Sequence, residues 1–302
     1  MICANDITIV IPTYGREAVL TDTVQALLAL DVRAHSILLI DQTPRHHERS
    51  WAMLSQWIES GALRRIHFAP PSIPRAMNLG LLNADTDYVL YLDDDIVPGA
   101  TIVSSLVATL NALVDVPTCI AGQVLQPGEQ VIAFQSWTRS WFPFNSDRQQ
   151  SVSDVIACNL CVNRKFALSV RGFDENFKGA AFGFESEFAR RVIRCGGSIV
   201  FAPSVTIRHL RAERGGTRVK GGHLVTWRPH HSVGKYYSAF LGGPLSAVKA
   251  VLIQPLRAIR TRHHLKAPWW IPATLCAELL GIFWAFGLIL RGRRLLPRVP
   301  GG

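Results

Sequence analysis

Residues 88–98 read YVLYLDDDIVP, in which a short apolar run passes without a break into three aspartates. A compact apolar run of this kind predicts a strand that is buried on both faces, as in a parallel sheet covered by helices. Asp93, Asp94 and Asp95 follow the end of that strand. Ligands of open parallel sheets bind beyond the carboxyl ends of the strands, so this segment predicts both a fold class and the position of a site.

The chain before this segment alternates between strand and helix patterns. Apolar and β-branched runs predict strands over residues 7–12, 36–41 and 65–68. Helical spacing predicts helices over residues 19–30, 51–58 and 74–82. The order β-α-β-α-β-α-β predicts an α/β fold with a doubly wound, mainly parallel sheet. Because Asp41 ends the second strand, we expect it at the same edge of the sheet as the three aspartates.

The second half of the chain has a less regular pattern. The aromatic-rich residues 134–144 predict a loop or a short hairpin, and residues 198–202 predict a short strand. Residues 187–195 predict a helix that Gly196 and Gly197 end. After about residue 215, Arg, His, Gly and Pro become more frequent and apolar stretches follow. We therefore divide the chain into an α/β domain, residues 1–215, and a basic and apolar C-terminal region, residues 216–302.

Composition limits the classes of partner. The 302 residues are 48% hydrophobic and carry a formal net charge of +10, which favours anionic partners such as nucleic acid, an anionic membrane or phosphorylated substrates. No helix-turn-helix or aromatic-basic module supports nucleic-acid binding, so we expect none. Cys158 and Cys161 form a CxxC pair without a second pair, which favours ordinary buried thiols over a zinc or redox site. No signal peptide is recognisable, so we expect the α/β domain in the cytosol.

The three adjacent aspartates predict a cation site. Neighbouring carboxylates repel each other, and a cation relieves that repulsion. Mg²⁺ or Mn²⁺ takes oxygen ligands from one or two carboxylates and completes its shell with water and substrate phosphates. The alternative is a solvated turn whose acids cap a helix over residues 101–113.

Eight segments extend the pattern along the chain: IVIPTYGRE (9–17), LLID (38–41), PRAMNLGL (74–81), YLDDDIVP (91–98), NLCVNRKFAL (159–168), GFDENF (172–177), FESEFARRV (184–192) and HLRAERGGTR (209–218). In this order they resemble the inverting glycosyltransferases of family 2, which have the GT-A fold. The resemblance covers roughly residues 5–215, and it implies that residues 1–215 form a GT-A catalytic domain. It also implies a nucleotide-sugar donor and a divalent metal.

The resemblance implies roles for individual residues. The implied donor-binding residues, which line the nucleotide pocket or reach the ribose and phosphates, are Pro12, Thr13, Arg16, Asp41, Arg75, Asn78, Asp93 and Asp94. The implied metal ligands are Asp95 and His209, and an imidazole suits Mn²⁺ better than Mg²⁺. Simpler alternatives stay open: an ion pair for Arg75, a helix cap for Asp41 and a basic surface loop for His209. We expect the loop 211–218, which contains Gly215 and Gly216, to close over the donor pyrophosphate.

Glu185 is the implied catalytic base. The family pattern has an Asp at this position with a Glu before it, whereas this chain has Glu185 preceded by Phe184. A longer side chain moves the carboxylate, and small displacements matter in catalysis. Helix capping by Glu185 is the alternative. Glu187 is the second candidate for the base, and it is also spaced to pair with Arg191 at i+4.

Residues 267–290 form an apolar stretch with the length of a bilayer span. Glu278 lies near its middle, and basic residues flank both of its ends. A single span would place one basic cluster outside, against the positive-inside bias, whereas a helix in the plane of the membrane keeps both clusters at the anionic inner leaflet. We favour the interfacial helix at the cytoplasmic face of the cell membrane, with a single pass or a plain core helix as alternatives.

The resemblance implies a metal-dependent enzyme of polysaccharide biosynthesis. It would transfer a sugar from a nucleoside-diphosphate sugar to a hydroxyl group of a glycan or a lipid-linked glycan, with inversion. A sugar nucleotidyltransferase would need a Gly-rich loop and a Lys after the first strand, which PTYGRE lacks. A non-catalytic protein that kept the fold is the remaining alternative, because the position of the base is irregular.

Overall fold

A computed structural model describes residues 1–134, 142–217 and 222–298 of the chain. In these residues nine strands form one sheet: β1 (Ile7–Thr13), β2 (Ser36–Asp41), β3 (Arg64–His67), β4 (Tyr88–Leu92), β5 (Ile96–Pro98), β6 (Cys119–Leu125), β7 (Gln150–Ser151), β8 (Asn159–Asn163) and β9 (Ile199–His209). The strand order is β3-β2-β1-β4-β8-β6-β9-β5, and β7 pairs with β9.

The helices of the described residues fall into two groups. Six belong to the α/β part: α1 (Ala18–Leu28), α2 (Glu48–Glu59), α3 (Ile73–Asn83), α4 (Ile102–Ala112), α5 (Arg164–Ser169) and α6 (Phe184–Arg194). Four follow in the C-terminal region: α7 (Val233–Leu241), α8 (Pro244–Ile259), α9 (Arg262–Lys266) and α10 (Ile271–Arg291).

The predicted α/β fold is confirmed, and its parallel part is the first half of the chain. Strand β1 pairs in parallel with β2 and β4, and β2 pairs in parallel with β3. The four strands carry the predicted alternation with α1, α2 and α3. Helix α3 begins with Pro74 in its first turn, where the missing N–H of proline costs no hydrogen bond. The acidic ends of β2 and β4 therefore lie at the same edge of the sheet.

The second half of the sheet is mixed rather than parallel, and the sequence patterns missed most of it. Strand β8 is antiparallel to β4 and β6, whereas β6 is parallel to β9. A register shift between Gly122 and Gln123 interrupts β6. The Asn159 amide donates to the carbonyls of Gln123 and Val205 beside it, at 3.0 and 2.9 Å. A Cβ on Gly122 would lie 2.1 Å from that amide, so this break in the apolar pattern is a requirement of packing.

The C-terminal helices pack on the α/β part. Helix α7 contacts α6, and α10 lies across α7 and α8. The Tyr237 hydroxyl donates to Asp174 at 2.8 Å, and the Tyr236 hydroxyl donates to Glu278 at 2.6 Å. Glu278 is buried against α7, so the carboxylate in the middle of the apolar stretch faces the protein. Beyond α10, the Arg293 guanidinium pairs with Glu187 of α6 at 2.9 Å.

The opposite side of α10 is exposed and apolar. Pro268–Arg291 is long and apolar enough to cross a membrane, and within it an 18-residue window has a mean hydropathy of 2.0 and is one third buried. Exposed apolar side chains of this helix and of the neighbouring α8 form what we call the apolar face: Leu245, Val248, Leu252, Leu256, Leu279, Phe283, Phe286 and Leu290. Each helix thus packs one side on the protein and exposes an apolar side. Among the described residues no part of the chain covers this apolar face.

Candidate active site

A cavity of about 780 Å³ opens at the carboxyl ends of β1 and β4. This volume is in the usual range for sites that hold a small molecule. The predicted site residues that line it are Pro12, Thr13, Arg16, Asp93, Asp94, Asp95, Glu185 and His209. They come from strand ends, from α6 and from the end of β9, so the fold brings together segments far apart in sequence.

Asp93, Asp95 and His209 form a group that can hold a metal ion. One ligand atom from each lies within 4.8 Å of the others. The His209 Nε2 atom is 3.4 Å from Asp93 Oδ2 and 3.2 Å from Asp95 Oδ1. Strand pairing produces this arrangement, because His209 lies opposite Ile96 in the β5–β9 ladder, directly after the aspartates. Two carboxylates and an imidazole are a donor set that suits Mn²⁺, so these residues fit a divalent cation.

Gln126 orients the imidazole of His209. Its Oε1 atom lies 2.9 Å from His209 Nδ1, which directs the Nδ1 proton to Gln126 and Nε2 towards the aspartates. Burial opposes a charge on this imidazole, yet hydrogen bonds with Asp93 and Asp95 raise the pKa of His209 to about 9. This direction shows how strongly the position attracts positive charge. Gln126 follows β6 directly, and no sequence pattern pointed to it.

Asp94 and Arg16 form a second charged contact beside the metal group. Asp94 Oδ2 accepts a hydrogen bond from the Thr13 hydroxyl at 2.6 Å. The Arg16 guanidinium lies 3.4 Å from Asp94 and 3.3 Å from Asp95. Burial raises the pKa of Asp94 to about 7, against the opposing effects of Arg16 and Thr13. Asp94 therefore turns away from the metal group and holds Arg16 at the wall of the cavity.

The loop after β9 covers this wall. The Ala212 N–H donates to Asp95 Oδ2 at 2.7 Å, and the Gly216 N–H donates to the Tyr14 carbonyl at 2.6 Å. Gly215 has φ of 79°, and a Cβ there would lie 2.3 Å from the Gly15 carbonyl, so the close approach needs glycine. Residues 211, 212 and 215–217 line the cavity, and Arg218 lies outside the described residues.

The two carboxylates of α6 have different surroundings. Glu185 lines the cavity in the first turn of the helix, and its Oε1 accepts from the Ala157 N–H at 3.0 Å. Glu187 is buried and pairs with Arg191 at 2.8 Å and with Arg293 at 2.9 Å. The predicted i+4 pair is thus present. Only Glu185 faces the space where an acceptor can enter.

Asp41 does not line the cavity, although it stood in the predicted donor-binding set. It is fully buried and accepts hydrogen bonds from His46 at 3.0 Å, the Thr43 N–H at 2.9 Å and Arg65 at 2.8 Å. Burial opposes its charge, but these bonds lower the pKa of Asp41 to about 2. Its neighbour Gln42 lines the cavity instead, so Asp41 supports that part of the wall from behind.

Arg75 and Asn78 also lie away from the cavity. The Arg75 guanidinium stacks on Phe68, 5.2 Å from the ring centroid. Asn78 is buried, donates to the Phe173 carbonyl at 2.9 Å and accepts from the Phe173 N–H at 2.7 Å. These bonds fix the segment after α5. Met77 lines the cavity from the same helix and was not singled out by its sequence pattern, because an apolar residue there is indistinguishable from a core residue.

Comparisons with known proteins place this geometry in context. The profile of glycosyl transferase family 2 matches residues 8–170, and no curated protein matches the sequence. The mannosyltransferase PcManGT from Pyrobaculum calidifontis, solved with GDP-Man and Mn²⁺, has a TM-score of 0.54 at 17% identity, covering 95% of this chain and 79% of that one.

Two further solved structures share the fold. TarS 1-349 from S. aureus, solved with UDP-GlcNAc, has a TM-score of 0.57 at 11% identity and covers 86% of this chain and 73% of that one. GalNAc-T7, solved with UDP, GalNAc and Mn²⁺, has a TM-score of 0.57 at 14% identity and covers 97% and 59% of the two chains. The predicted GT-A fold is confirmed. The family match ends before Glu185 and His209, so the roles of these two residues depend on their geometry.

Proposed function

The chain belongs to glycosyl transferase family 2, and from its site we propose that it transfers a sugar from a nucleoside-diphosphate sugar to a hydroxyl group of a glycan or a lipid-linked glycan, with inversion. One observation carries the proposal: a single cavity holds both the Asp93, Asp95 and His209 group and the carboxylate of Glu185. The first suits a charged leaving group, and the second suits removal of a proton.

Asp93, Asp95 and His209 would hold Mn²⁺ or Mg²⁺, with His209 favouring Mn²⁺. When bound, the ion supplies positive charge that stabilises the departing nucleoside diphosphate. Arg16 adds a fixed cation at the same wall, because Asp94 holds its guanidinium in place. The loop at Gly215 packs closely on the backbone of Gly15 at the cavity wall, where it would cover a bound donor. These parts together favour a donor that carries a diphosphate.

Glu185 is the proposed base. Its carboxylate lines the cavity and is positioned by the Ala157 N–H, so it can accept a proton from an acceptor hydroxyl. The hydroxyl oxygen then forms a bond to the anomeric carbon as the bond to the diphosphate oxygen breaks. Attack from the side opposite the leaving group inverts that carbon. A single carboxylate of this kind is sufficient, because no covalent glycosyl-enzyme forms in this route.

The C-terminal region, residues 216–302, would attach the GT-A domain, residues 1–215, to the cytoplasmic face of the membrane. The apolar face lies on one side of α8 and α10, and exposed basic residues such as Lys249, Arg260 and Lys266 lie on the same helices or between them. Buried Glu278 opposes a lipid-surrounded span, so we favour a helix in the plane of the membrane.

A panel of nucleotide sugars tests the proposal. Purified full-length protein with Mn²⁺ is expected to release nucleoside diphosphate from one donor, with water taking the sugar slowly in place of the acceptor hydroxyl, and Asp95→Ala is expected to abolish that release while the protein stays folded. Arg260→Ala, an exposed residue away from the cavity, serves as the matched control and is expected to keep the activity. Release that is unaffected by Asp95→Ala and by a chelator would contradict the proposed metal site.

A further inference from the structure

A second, smaller cavity of about 170 Å³ lies among α7, α8 and α10. It is distinct from the catalytic cavity and is formed by the C-terminal region. Its lining is rich in cationic and imidazole side chains: His223, Arg228, His231, Lys235 and Arg257. Glu278 is the acid of that lining, and its carboxylate already accepts the Tyr236 hydroxyl at 2.6 Å. The cavity therefore has an excess of positive charge.

Lys235 is the most informative member of this lining. Its side chain is half-buried and its ammonium lies 5.4 Å from the ring centroid of Phe182. Among the described residues no carboxylate lies within ion-pair distance of it, and no acceptor bonds to it. Burial lowers the pKa of Lys235, with Glu278 as the opposing influence. A partly buried ammonium without such a partner beside an open cavity indicates a place for an anion.

The cavity lies between the apolar face and the catalytic site. On one side, Arg257 belongs to α8, where it adjoins exposed Leu256 of the apolar face. On the other side, His223 and His231 line both cavities and stack with their centroids 3.9 Å apart. A pair of stacked rings is thus the partition between the two cavities. An anion bound here would lie next to the apolar face on one side and next to the candidate active site on the other.

From this placement we propose that the cavity of α7, α8 and α10 binds the phosphate or diphosphate group of a lipid-linked acceptor. The inference rests on the proposed function and narrows it, because it names the chemical class of the acceptor. The lipid chain would lie along the apolar face, Lys235, Arg228 and Arg257 would contact the phosphate oxygens, and the sugar would extend past the histidine pair towards Glu185. Arg and Lys are the side chains that recognise phosphate in this way.

Vesicle binding tests the proposal with full-length protein. Three vesicle types are compared by flotation: phosphatidylcholine alone, phosphatidylcholine with a polyprenyl phosphate, and phosphatidylcholine with phosphatidylglycerol at the same surface charge. We expect the wild type to bind the polyprenyl phosphate vesicles about tenfold more tightly than the charge-matched ones, since a phosphomonoester offers three terminal oxygens to Arg228, Lys235 and Arg257 whereas the diester of phosphatidylglycerol offers only two. Equal affinity for the two charged vesicles would overturn the proposal.

Two variants locate the effect. We expect Lys235→Gln to remove the preference for polyprenyl phosphate vesicles. Arg257→Gln, a change on the exposed surface of α8, is expected to do the same. Lys249→Gln, on the same helix but not in the cavity, is expected to keep it. Because Arg257 and Lys249 are both exposed, neither change threatens the fold, and the contrast between them stays interpretable if Lys235→Gln is unstable. A preference that survives in Lys235→Gln and Arg257→Gln would overturn the assignment of this cavity.

A further arm separates a lipid from a free anion. Inorganic phosphate is added to wild-type protein on polyprenyl phosphate vesicles. We expect no displacement at concentrations equal to that of the lipid phosphate, because the chain contributes to binding through the apolar face. Release of the protein from the vesicles by inorganic phosphate at that concentration would assign the cavity to free phosphate and overturn the proposal. Failure of the donor panel with an intact vesicle preference would count against the proposed reaction alone, so the two failures are distinguishable.

Discussion

Glu185→Gln and Glu187→Gln are expected to fail in different ways, although the two residues are two positions apart on α6. Glu185→Gln keeps an oxygen that can accept from the Ala157 N–H, so its free energy of unfolding should change by less than about 1 kcal/mol. It cannot take a proton at neutral pH, and turnover should fall by roughly 10²–10⁴-fold. Binding of the donor should persist.

Glu187→Gln removes one charge from a buried group with two cations. Arg191 is held by Glu187 at 2.8 Å with only 9% of its side chain exposed, and its other bond is to the Val170 carbonyl. An uncompensated buried charge costs about 3–5 kcal/mol, which corresponds to a fall in melting temperature of about 5–8 °C in a chain of 302 residues. Below that temperature the variant should keep most of its turnover.

Calorimetry and single-turnover release of nucleoside diphosphate on the same preparations measure the two effects. The assay is run well below the melting temperature of the weaker variant, so that loss of fold is not mistaken for loss of chemistry. A folded Glu187→Gln protein without turnover, beside an active Glu185→Gln protein, would refute the assignment of the base. The wild-type melting curve and turnover provide the reference for both.

The remaining predictions concern the metal, the pH and the membrane. Gln126→Leu should weaken the binding of Mn²⁺ by about 10–100-fold, because the His209 imidazole loses the hydrogen bond that orients it. The measurement is the Mn²⁺ concentration that gives half-maximal activity, and an unchanged value would contradict this prediction. The pKa of Asp41 falls from 3.8 to about 2 on folding, so its contribution of about 2 kcal/mol is present above pH 4 and is lost as the pH falls through about 2. The midpoint of denaturation by urea, measured between pH 2 and pH 5, should fall less steeply with acid in Asp41→Asn than in the wild type. Full-length protein should sediment with membranes, remain bound to them in high salt and be released by detergent. Phe283→Glu and Leu252→Glu, which place a charge on the apolar face, should weaken this membrane binding. Wild-type protein that is fully soluble at low salt would contradict a membrane role.

The sequence predicted the part of the fold that depends on local patterns. Continuous apolar runs identified β1, β2 and β4, because a strand that is buried on both faces needs apolar side chains at nearly every position. Strand β6 was missed because Gly122 and Gln123 interrupt its apolar run, and β8 because its apolar run is only three residues long between Asn159 and Asn163. The Asn159 amide bonds to Gln123, so these polar residues serve a contact between two strands that are far apart in sequence. Such a contact has no signal in either segment alone.

The site shows the same division. The aspartates after β4 were predictable because strand and acids are adjacent in sequence. Asp41 and Asn78 also match family motifs, but their side chains are taken up by partners from other segments, Arg65 and Phe173 among them. A motif identifies a residue type and its place in the chain, whereas the direction of the side chain depends on neighbours that the motif does not contain.

The ion pair between Arg293 and Glu187 has a consequence for how this enzyme can be divided. The composition of the chain changes near residue 215, yet the segment after α10 packs back on the helix that carries Glu185. The Leu296 N–H also donates to the Arg171 carbonyl at 3.1 Å. A shortened protein that ends before α7 would lose both contacts and uncover the Phe177 ring that packs on Tyr237. Removing α7–α10 to gain solubility would therefore remove a support of the helix that carries Glu185, and solubilising the whole protein in detergent avoids that loss.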